Sequence, residues 1–247
     1  MDEGLEASEG WHRCIESIAS LPSMEDSGES TGGEPPELDE EVLTELAALA
    51  IELAPRRLLA RFKEVARADR LTFEEMLFDR IRPVAQRLGD CWLEDTLSFG
   101  EVTVGAAALQ RVVAALGDDA EGPLTHRELV VLTAAPGEQH VLPIHMLSEA
   151  IRADGWATHL APQMDLEDIL DLVSIEEVAV VGITCKDPER LGNLASFAAA
   201  IQEASIIPVD LVIGGSPELE IMMQESGFTY LPTGRAFCRR LARRGAI

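Results

Sequence analysis

One histidine of this chain has a sequence context that suits a metal ligand. His140 lies in the segment Ala135-Pro-Gly-Glu-Gln-His-Val-Leu-Pro143, directly after a short apolar run typical of a buried parallel strand. An imidazole at the end of a strand can project from the sheet edge towards a bound group. Glu138, two residues earlier, can accept the other ring N–H and fix the tautomer, as carboxylates do for metal-bound imidazoles. The alternative is that His140 is an ordinary polar loop residue.

Glycines follow two of the predicted strands. Gly137 follows the strand that precedes His140, and Gly214-Gly215 follows a later one. In an open α/β sheet, ligands bind in the crevice outside the carboxyl ends of the strands. Glycine has no Cβ, so it lets the backbone approach a buried ligand closely. We therefore expect a ligand at this edge of the sheet.

The elements that must position these residues fall into two parts. From Leu38 to about Gly117 apolar residues recur at three- and four-residue steps, which predicts four or five helices in a small bundle. Thr72-Phe-Glu-Glu75 and Ser98-Phe-Gly-Glu101 are capping boxes that predict helix starts. After Gly122-Pro123, strand and helix patterns alternate, which predicts an α/β fold with a doubly wound, Rossmann-like parallel sheet. The predicted strands are 128–134, 157–161, 178–184, 209–213 and 229–230, and the predicted helices are 144–154, 166–173, 188–204, 217–225 and 233–244.

The acidic net charge of the chain disfavours some classes of binding partner. With 44 acidic and 20 basic residues among 247, the formal net charge is −24, and the sequence pI is about 4.4. This balance argues against direct nucleic-acid binding, which needs clustered Lys and Arg to release counterions. We expect an acidic, mostly disordered tail over 1–37, a helical bundle over 38–118 and an α/β domain over 122–247. Residues 11–21 are either a docking segment or part of a solubilising tail.

Several other signals are missing from the sequence. The four cysteines form no CxxC pair, which fits a reducing cytosol and predicts neither a zinc site nor a disulfide framework. No signal peptide and no apolar run of roughly 18 residues is found, so we expect a soluble, cytoplasmic protein without a membrane partner. The phosphate-binding loops, the nucleophile elbow and the HExxH helix are also absent. These absences leave the enzyme classes that such motifs mark without support.

The α/β part resembles the cobalamin-binding domain of methionine synthase, mutases and corrinoid proteins. The pattern of that family is Asp-x-His-x-x-Gly, then Ser-x-Leu, then Gly-Gly, and the matching segments are Glu138-Gln-His140-Val-Leu-Pro143, Thr184-Cys-Lys186 and Gly214-Gly215. The resemblance implies that His140 ligates cobalt from below, in place of the dimethylbenzimidazole base of the cofactor. It also implies that Thr184 hydrogen-bonds the displaced base and that Gly214-Gly215 lies against the nucleotide tail.

Three positions depart from that pattern. Glu138 stands where the family has Asp, Pro143 where it has Gly, and Lys186 where it has an apolar residue. Glu138 keeps the hydrogen-bonding group on a longer arm, and Pro143 suits the first turn of a helix. The cobalt ligand is preserved, and the change at Lys186 falls on the slot for the nucleotide tail.

The helical part resembles the cap that precedes many such domains. Leu88-Gly-Asp-Cys-Trp92 followed by Leu97-Ser-Phe-Gly-Glu-Val-Thr-Val104 carries this resemblance. It implies that Trp92 lies over the upper face of the corrin ring, and the alternative is that Trp92 packs in a core. Light-sensing cobalamin repressors have a Glu-His pair after this Trp, where this chain has Val102 and Thr103. The bundle therefore offers no upper imidazole ligand.

Taken together, these motifs resemble the PpaA/AerR family of purple photosynthetic bacteria, which is related to the sensor domain of AppA. The resemblance implies a cobalamin-binding, light-responsive antirepressor. Its partner would be a PpsR/CrtJ-type DNA-binding transcriptional repressor of photosynthesis genes. Two alternatives stay open: a corrinoid protein of a methyltransferase system, and a haem-binding sensor on the same scaffold, because one axial histidine serves either cofactor.

Overall fold

A computed structural model describes the chain over residues 37–120, 122–138, 141–163, 165–192, 194–223 and 226–244. The chain divides into two compact units between Ala120 and Glu121. The predicted acidic tail lies outside the described residues except for Glu37, so its disorder and the docking segment over 11–21 stay predictions.

The first unit is helical, as the apolar periodicity predicts. Its core is built from side chains that are fully buried, among them Leu46, Phe62 and Leu88. Burial of such an apolar stripe, rather than helix propensity, supplies most of the stability of short helices. The elements are α1 (Glu40–Ile51), α2 (Pro55–Asp69), α3 (Phe73–Met76), a π-helical turn (Leu77–Ile81), α4 (Arg82–Leu93) and α5 (Phe99–Ala120).

Both predicted capping boxes are present. The Glu75 N–H donates to Thr72 Oγ1 at 3.2 Å, and the Thr72 N–H donates to the Glu75 carboxylate at 2.7 Å. In the second box the Glu101 N–H donates to Ser98 Oγ at 3.3 Å, and the Ser98 hydrogen bonds lower the pKa of the Glu101 carboxyl group. These bonds satisfy N–H groups that a helix start leaves without partners, so α3 and α5 begin where the sequence predicts.

The π-helical turn Leu77–Ile81 was not predicted, and Pro83 explains it. Proline has no N–H, and in a regular helix its ring clashes with the carbonyl four residues earlier, here that of Asp79. The structure widens the turn, so that the Arg82 N–H donates to the first carbonyl of the turn, five residues back. The Asp79 carbonyl instead accepts from Arg80 Nη1 at 3.0 Å. The helix thus continues past Pro83.

Helix α5 is the one described helix that is long and apolar enough to cross a membrane by length and composition. Its buried residues include Val102, Leu109 and Val112, which pack inside the bundle. Gly105 lets α5 lie close to α4, since a Cβ there would come within 2.7 Å of Leu88 Cδ1. The core helix of a bundle has the same length and composition, so α5 is weak evidence for a membrane span.

The second unit is a five-stranded parallel sheet flanked by helices, which confirms the predicted doubly wound α/β fold. The strand order is β2-β1-β3-β4-β5, and every described pair of strands is parallel. The elements are β1 (Leu129–Ala134), α6 (Leu142–Ala153), β2 (Ala157–Ala161), α7 (Leu166–Ile175), β3 (Val178–Cys185), a 3₁₀ turn (Pro188–Leu191), α8 (Leu194–Ala204), β4 (Asp210–Gly215), α9 (Leu219–Met222), β5 (Thr229–Tyr230) and α10 (Gly234–Arg244).

The sheet buries both of its faces. On one face Val131 and Val181 pack with residues of α7, α8 and α9, and on the other Val130 and Val180 pack with residues of α6 and α10. Alternate residues of a strand point to opposite faces, so a strand covered on both sides is apolar along nearly its whole length. This is why β1 and β3 could be recognised as continuous apolar runs.

Two predicted helices differ from the observed ones. The predicted helix over 188–204 is a 3₁₀ turn followed by α8, and between them Gly192 has a left-handed φ of 55°. Such a φ interrupts an α-helix, and glycine adopts it without steric cost. The predicted helix over 217–225 is reduced to the four residues of α9 among the described positions. Pro143 lies in the first turn of α6, as predicted.

Close packing at Gly182 gives a test of the sheet. A Cβ at this position of β3 would lie 2.8 Å from Leu132 Cδ2 and 2.9 Å from Phe237 Cε2. Gly182→Ala should therefore lower the free energy of unfolding by about 1–3 kcal/mol through overpacking, measured by urea unfolding followed by circular dichroism. Gly100→Ala is the control, because nothing lies within 4 Å of its Cβ position. Equal stability of the two variants would contradict this packing.

Candidate functional site

Three central strands of the sheet end at the same level. In the pairing register Thr184 of β3 lies opposite Ala134 of β1 and opposite Gly214 of β4. We call these strand ends, with the loop residues 135–138, 186–187 and 216 that follow them, the carboxyl edge. The strand order reverses between β1 and β3, and ligands of open α/β sheets bind at the carboxyl ends beside such a reversal. The fold therefore brings the predicted positions Glu138, Thr184 and Gly214 to the edge at which ligands of such sheets bind.

A buried carboxylate joins the loops at this reversal. Glu138 is only 5% exposed, and its Oε2 accepts the Lys186 N–H at 2.9 Å. The Ala135 N–H donates to the Thr184 carbonyl at 2.8 Å, which continues the β1–β3 ladder into the loop. The Glu138 N–H in turn donates to the Ala135 carbonyl at 2.8 Å. The loop after β1 is thus fixed to the loop after β3 at the point where a ligand is expected.

His140 lies outside the described residues, together with Gln139. Its neighbours in the chain are described: Glu138 is held as above, and α6 begins at Leu142. The predicted hydrogen bond between Glu138 and the His140 ring therefore stays a prediction. The Glu138 carboxylate can accept a second hydrogen bond besides the one from the Lys186 N–H, because a carboxylate has two oxygens and about four lone-pair sites.

The packing of the protein backbone already explains why residue 215 is a glycine, without any ligand. Its φ is +135°, and a Cβ would lie 1.8 Å from the Cys185 carbonyl oxygen on the neighbouring strand. That carbonyl also accepts the Ser216 N–H at 3.2 Å, which continues the β3–β4 pairing by one residue. At Gly214 a Cβ would lie 3.2 Å from the Leu231 carbonyl, a tight contact. The sequence interpretation assigned both glycines to a ligand, whereas packing against the protein backbone already requires one of them.

Trp92 belongs to the helical unit, in the last turn of α4. Its side chain is partly exposed, and the adjacent Leu93 is 59% exposed. By contrast, Trp156 of the second unit is 2% exposed and lies in a core cluster. Trp92 is therefore not among the buried core residues, and part of its indole surface is accessible within its own unit.

Sequence reasoning missed one residue that contacts the carboxyl edge from β5. Tyr230, the only tyrosine of the chain, ends β5, and its hydroxyl donates to the Gly215 carbonyl at 3.4 Å. Burial raises the pKa of the Tyr230 phenol, and the carboxylates of Glu220 and Glu218 raise it further. The sequence did show that the single tyrosine ends the last predicted strand. It could not show that Tyr230 contacts the glycine pair, because that contact depends on the register between strands.

The donor groups at this edge fit a cofactor that brings its own metal ligands. Within the described residues, no group of three or more His, Cys, Asp or Glu side chains could hold a bare metal ion. A corrin or haem ring supplies four nitrogens itself and needs one axial residue from the protein. The loop after β1 contains one such residue, His140, and Thr184 on the adjacent strand carries a hydroxyl. The residues present therefore fit a macrocyclic cofactor.

The architecture as a whole is that of a known class. A helical amino-terminal part followed by a five-stranded parallel sheet with flanking helices matches the Rossmann-like domains of cobalamin-binding proteins. The chain is similar to the monomethylamine corrinoid protein of Methanosarcina barkeri, with a TM-score of 0.65, 14% identity and coverage of 84% of this chain and 99% of that one. A cobalamin-binding protein of Desulfitobacterium hafniense is similar at a TM-score of 0.43 and 19% identity, over 82% and 98% of the two chains.

One curated relative is similar in sequence. It is an uncharacterised 20.5 kDa protein encoded in the bchF-crtJ intergenic region of Rhodobacter capsulatus, 25% identical over 154 residues. The match covers 61% of this chain and 80% of the relative. No protein-family model matches the chain. The likeness to the monomethylamine corrinoid protein shows that the two chains share a fold.

The Glu138 bond can be tested by amide hydrogen exchange. Glu138→Ala removes the acceptor of the Lys186 N–H and should speed exchange of that amide by about tenfold to a hundredfold, since a hydrogen bond to a charged group contributes about 1.5–3 kcal/mol. Glu138→Gln keeps an acceptor oxygen but loses the charge, so exchange of the Lys186 amide should be intermediate between the wild type and Glu138→Ala. The Val181 amide in the centre of β3 is the internal control. Unchanged exchange at Lys186 in Glu138→Ala would contradict this role.

Proposed function

We propose that the chain is a cobalamin-binding transcriptional regulator, not an enzyme, that acts in the cytoplasm on a DNA-binding repressor of photosynthesis genes. The observation that carries the cofactor assignment is the carboxyl edge. There the His140-containing loop leaves β1 beside the reversal of strand order, and Glu138 fixes that loop to β3 through the Lys186 N–H at 2.9 Å. Ligands of open α/β sheets bind at this position, and His140 belongs to the loop that follows β1 there.

Each site residue has a role in this proposal. His140 would hold the cobalt of the cofactor, and Glu138 orients the loop that carries His140. Thr184 would donate or accept a hydrogen bond to the nucleotide tail, and Gly214 and Gly215 would leave room for that tail. Trp92 would contact the corrin ring with the accessible part of its indole. When bound, cobalamin supplies a cobalt whose upper ligand can be exchanged or released by light.

Regulation requires that the affinity of this chain for the repressor depends on the state of the bound cofactor. A ligand shifts a conformational equilibrium only by as much as its affinities for the two conformations differ. A tenfold change in repressor affinity corresponds to about 1.4 kcal/mol of such a difference. In this proposal the contacts of Trp92 would be the ones that differ between the states of the bound cofactor. In this proposal they bias the chain between a repressor-binding and a non-binding conformation.

Two observations support the choice of partner. The relative in Rhodobacter capsulatus is encoded beside crtJ, and a CrtJ-type repressor is the partner that the sequence resemblance implies. The net charge of −24 opposes binding to DNA itself and favours contact with the basic surface of a DNA-binding protein. The chain would then control DNA occupancy through the repressor.

A methyltransferase corrinoid protein is the second candidate. It is favoured by the TM-score of 0.65 to the monomethylamine corrinoid protein. In that role the upper face must open for attack on the methyl group. Transfer of a methyl group from protein-bound methylcobalamin to an acceptor, with a partner methyltransferase present, would establish it.

The cobalt ligand is tested by substitution of His140. His140→Ala should reduce the affinity for hydroxocobalamin at least about a hundredfold and remove the spectral change that axial imidazole ligation produces, measured by visible absorbance titration. His159→Ala is the control, since His159 is exposed on β2 and should leave affinity and spectrum unchanged. An unaltered spectrum and affinity in His140→Ala would overturn the cofactor assignment.

The partner is tested by the salt dependence of repressor binding. Affinity of the cobalamin-loaded protein for a purified CrtJ-type repressor should fall at least about fivefold between about 0.1 M and about 1 M ionic strength. Over that range the screening length shrinks from about 10 Å to about 3 Å. Light-scattering or calorimetric titration measures it. Salt-independent binding would contradict an electrostatic interface, and absence of binding would contradict the partner itself.

A further inference from the structure

Two isoleucines are exposed at the amino ends of the central strands, at the opposite end of the sheet from the carboxyl edge. Ile175 ends α7 and is 72% exposed, and Ile206, between α8 and β4, is 53% exposed. The Ile206 N–H donates to the Val173 carbonyl at 3.2 Å, so the two isoleucines belong to neighbouring segments. A single exposed isoleucine needs no explanation, whereas neighbouring ones form an apolar patch of the kind found at interfaces.

Carboxylates lie on one side of these isoleucines. Glu176 and Glu177 follow Ile175 directly, lead into β3 and are both exposed. Within the described residues, neither carboxylate has an ion-pair partner. Because β3 pairs with β4 in parallel, the segments 176–177 and 206–208 that precede these strands lie side by side. We call residues 174–177, 205–208 and 239–244 the amino edge.

Helix α10 brings guanidinium groups to the other side of the isoleucines. It contains five arginines and no acidic residue. Arg240 Nη2 donates to the Asp210 carboxylate at 2.7 Å, and Arg244 Nη2 donates to the Pro208 carbonyl at 3.1 Å. These bonds fix the end of α10 to the start of β4, close to the segment that carries Ile206.

The other arginines in this half of α10 are directed outwards. Arg239 and Arg243 lie one helical turn apart, and both are exposed. Over the part of the chain that the structure describes, neither has an ion-pair partner, although the net charge of the chain is −24. A cation near a helix C-terminus is favoured by the helix dipole, which accounts for Arg243 but not for the isoleucines next to it.

We propose that the amino edge binds the amino edge of a second copy of this chain. The contacts above give the edge an order: carboxylates at the start of β3, isoleucines in the middle, guanidinium groups on α10. A two-fold axis through the isoleucines brings the apolar groups of the two copies together and sets the guanidinium groups of each copy against carboxylates of the other. A two-fold interface requires such a self-complementary patch. Burial of the isoleucines supplies affinity, and the charges fix the orientation.

A nucleic acid or an anionic membrane fits the amino edge less well. Phosphate groups that approach Arg239 and Arg243 also meet the exposed carboxylates of Glu176 and Glu177. A second copy avoids this conflict, because its edge carries both signs of charge in the same order. The carboxyl edge lies at the other ends of the strands, so the inference stands apart from the proposed function.

Charge reversal on the full chain tests the contact by sedimentation velocity. Arg243→Glu and Glu177→Arg should each weaken dimerisation at least about tenfold, because each places like charges together at two equivalent positions. An equimolar mixture of these two variants should recover the dimer, since both contacts of the mixed pair then join opposite charges. Arg56→Glu is the matched control, because Arg56 is exposed on α2 of the helical unit and should leave dimerisation unchanged.

The apolar centre is tested in the same experiment. Ile206→Ser should weaken dimerisation at least about tenfold through lost apolar burial. Ile221→Ser is its control, because Ile221 is 77% exposed on α9 and lies outside the amino edge. Circular dichroism melting of each variant ensures that folded proteins are compared.

The outcomes are distinct. Weaker dimers of the three variants, recovery in the mixture and unchanged controls would support the inference. A wild type that stays monomeric up to about 200 μM overturns it, and binding of that monomer to phosphatidylglycerol vesicles would assign the surface to a membrane instead. Dimerisation that neither charge reversal weakens, or a mixture that fails to recover, also overturns the two-fold contact.

Discussion

The hydrogen bond from the Lys186 N–H to the buried Glu138 carboxylate is the contact on which the candidate site depends. It joins the loops after β1 and β3 at the point where the strand order reverses, and these are the loops that a ligand must contact. Burial makes the contact strong, because an unpaired carboxylate there would lose its solvation without compensation. The cobalamin-binding pattern that the sequence resembles has Asp at this position, and in this chain Glu138 supplies the carboxylate.

The remaining features of the edge are arranged around that contact. Gly215 lets β4 pass within van der Waals distance of the Cys185 carbonyl, which keeps β3 and β4 together up to their last residues. Tyr230 reaches the Gly215 carbonyl from β5 and extends the edge by one strand.

Much of the fold followed from the sequence, because its signals are local. Apolar runs marked β1 and β3, and the boxes at Thr72 and Ser98 marked helix starts. The π-helical turn before Pro83 and the break at Gly192 were missed, since each depends on how neighbouring turns accommodate a single residue. At the site, the positions of Glu138 and Thr184 were predictable from their strands. The bond to Lys186 and the contact of Tyr230 were not, because both depend on the register between strands.

The central claim is that the His140 loop at the carboxyl edge binds a corrinoid, and one measurement tests it most directly. The purified wild-type protein is reconstituted in parallel with hydroxocobalamin and with haemin, freed of unbound cofactor and examined by visible absorbance. The account predicts stoichiometric retention of cobalamin with a spectrum shifted from that of the free cofactor, and weak retention of haem. Retention of haem with loss of cobalamin would contradict the corrinoid assignment and leave a haem sensor on the same fold.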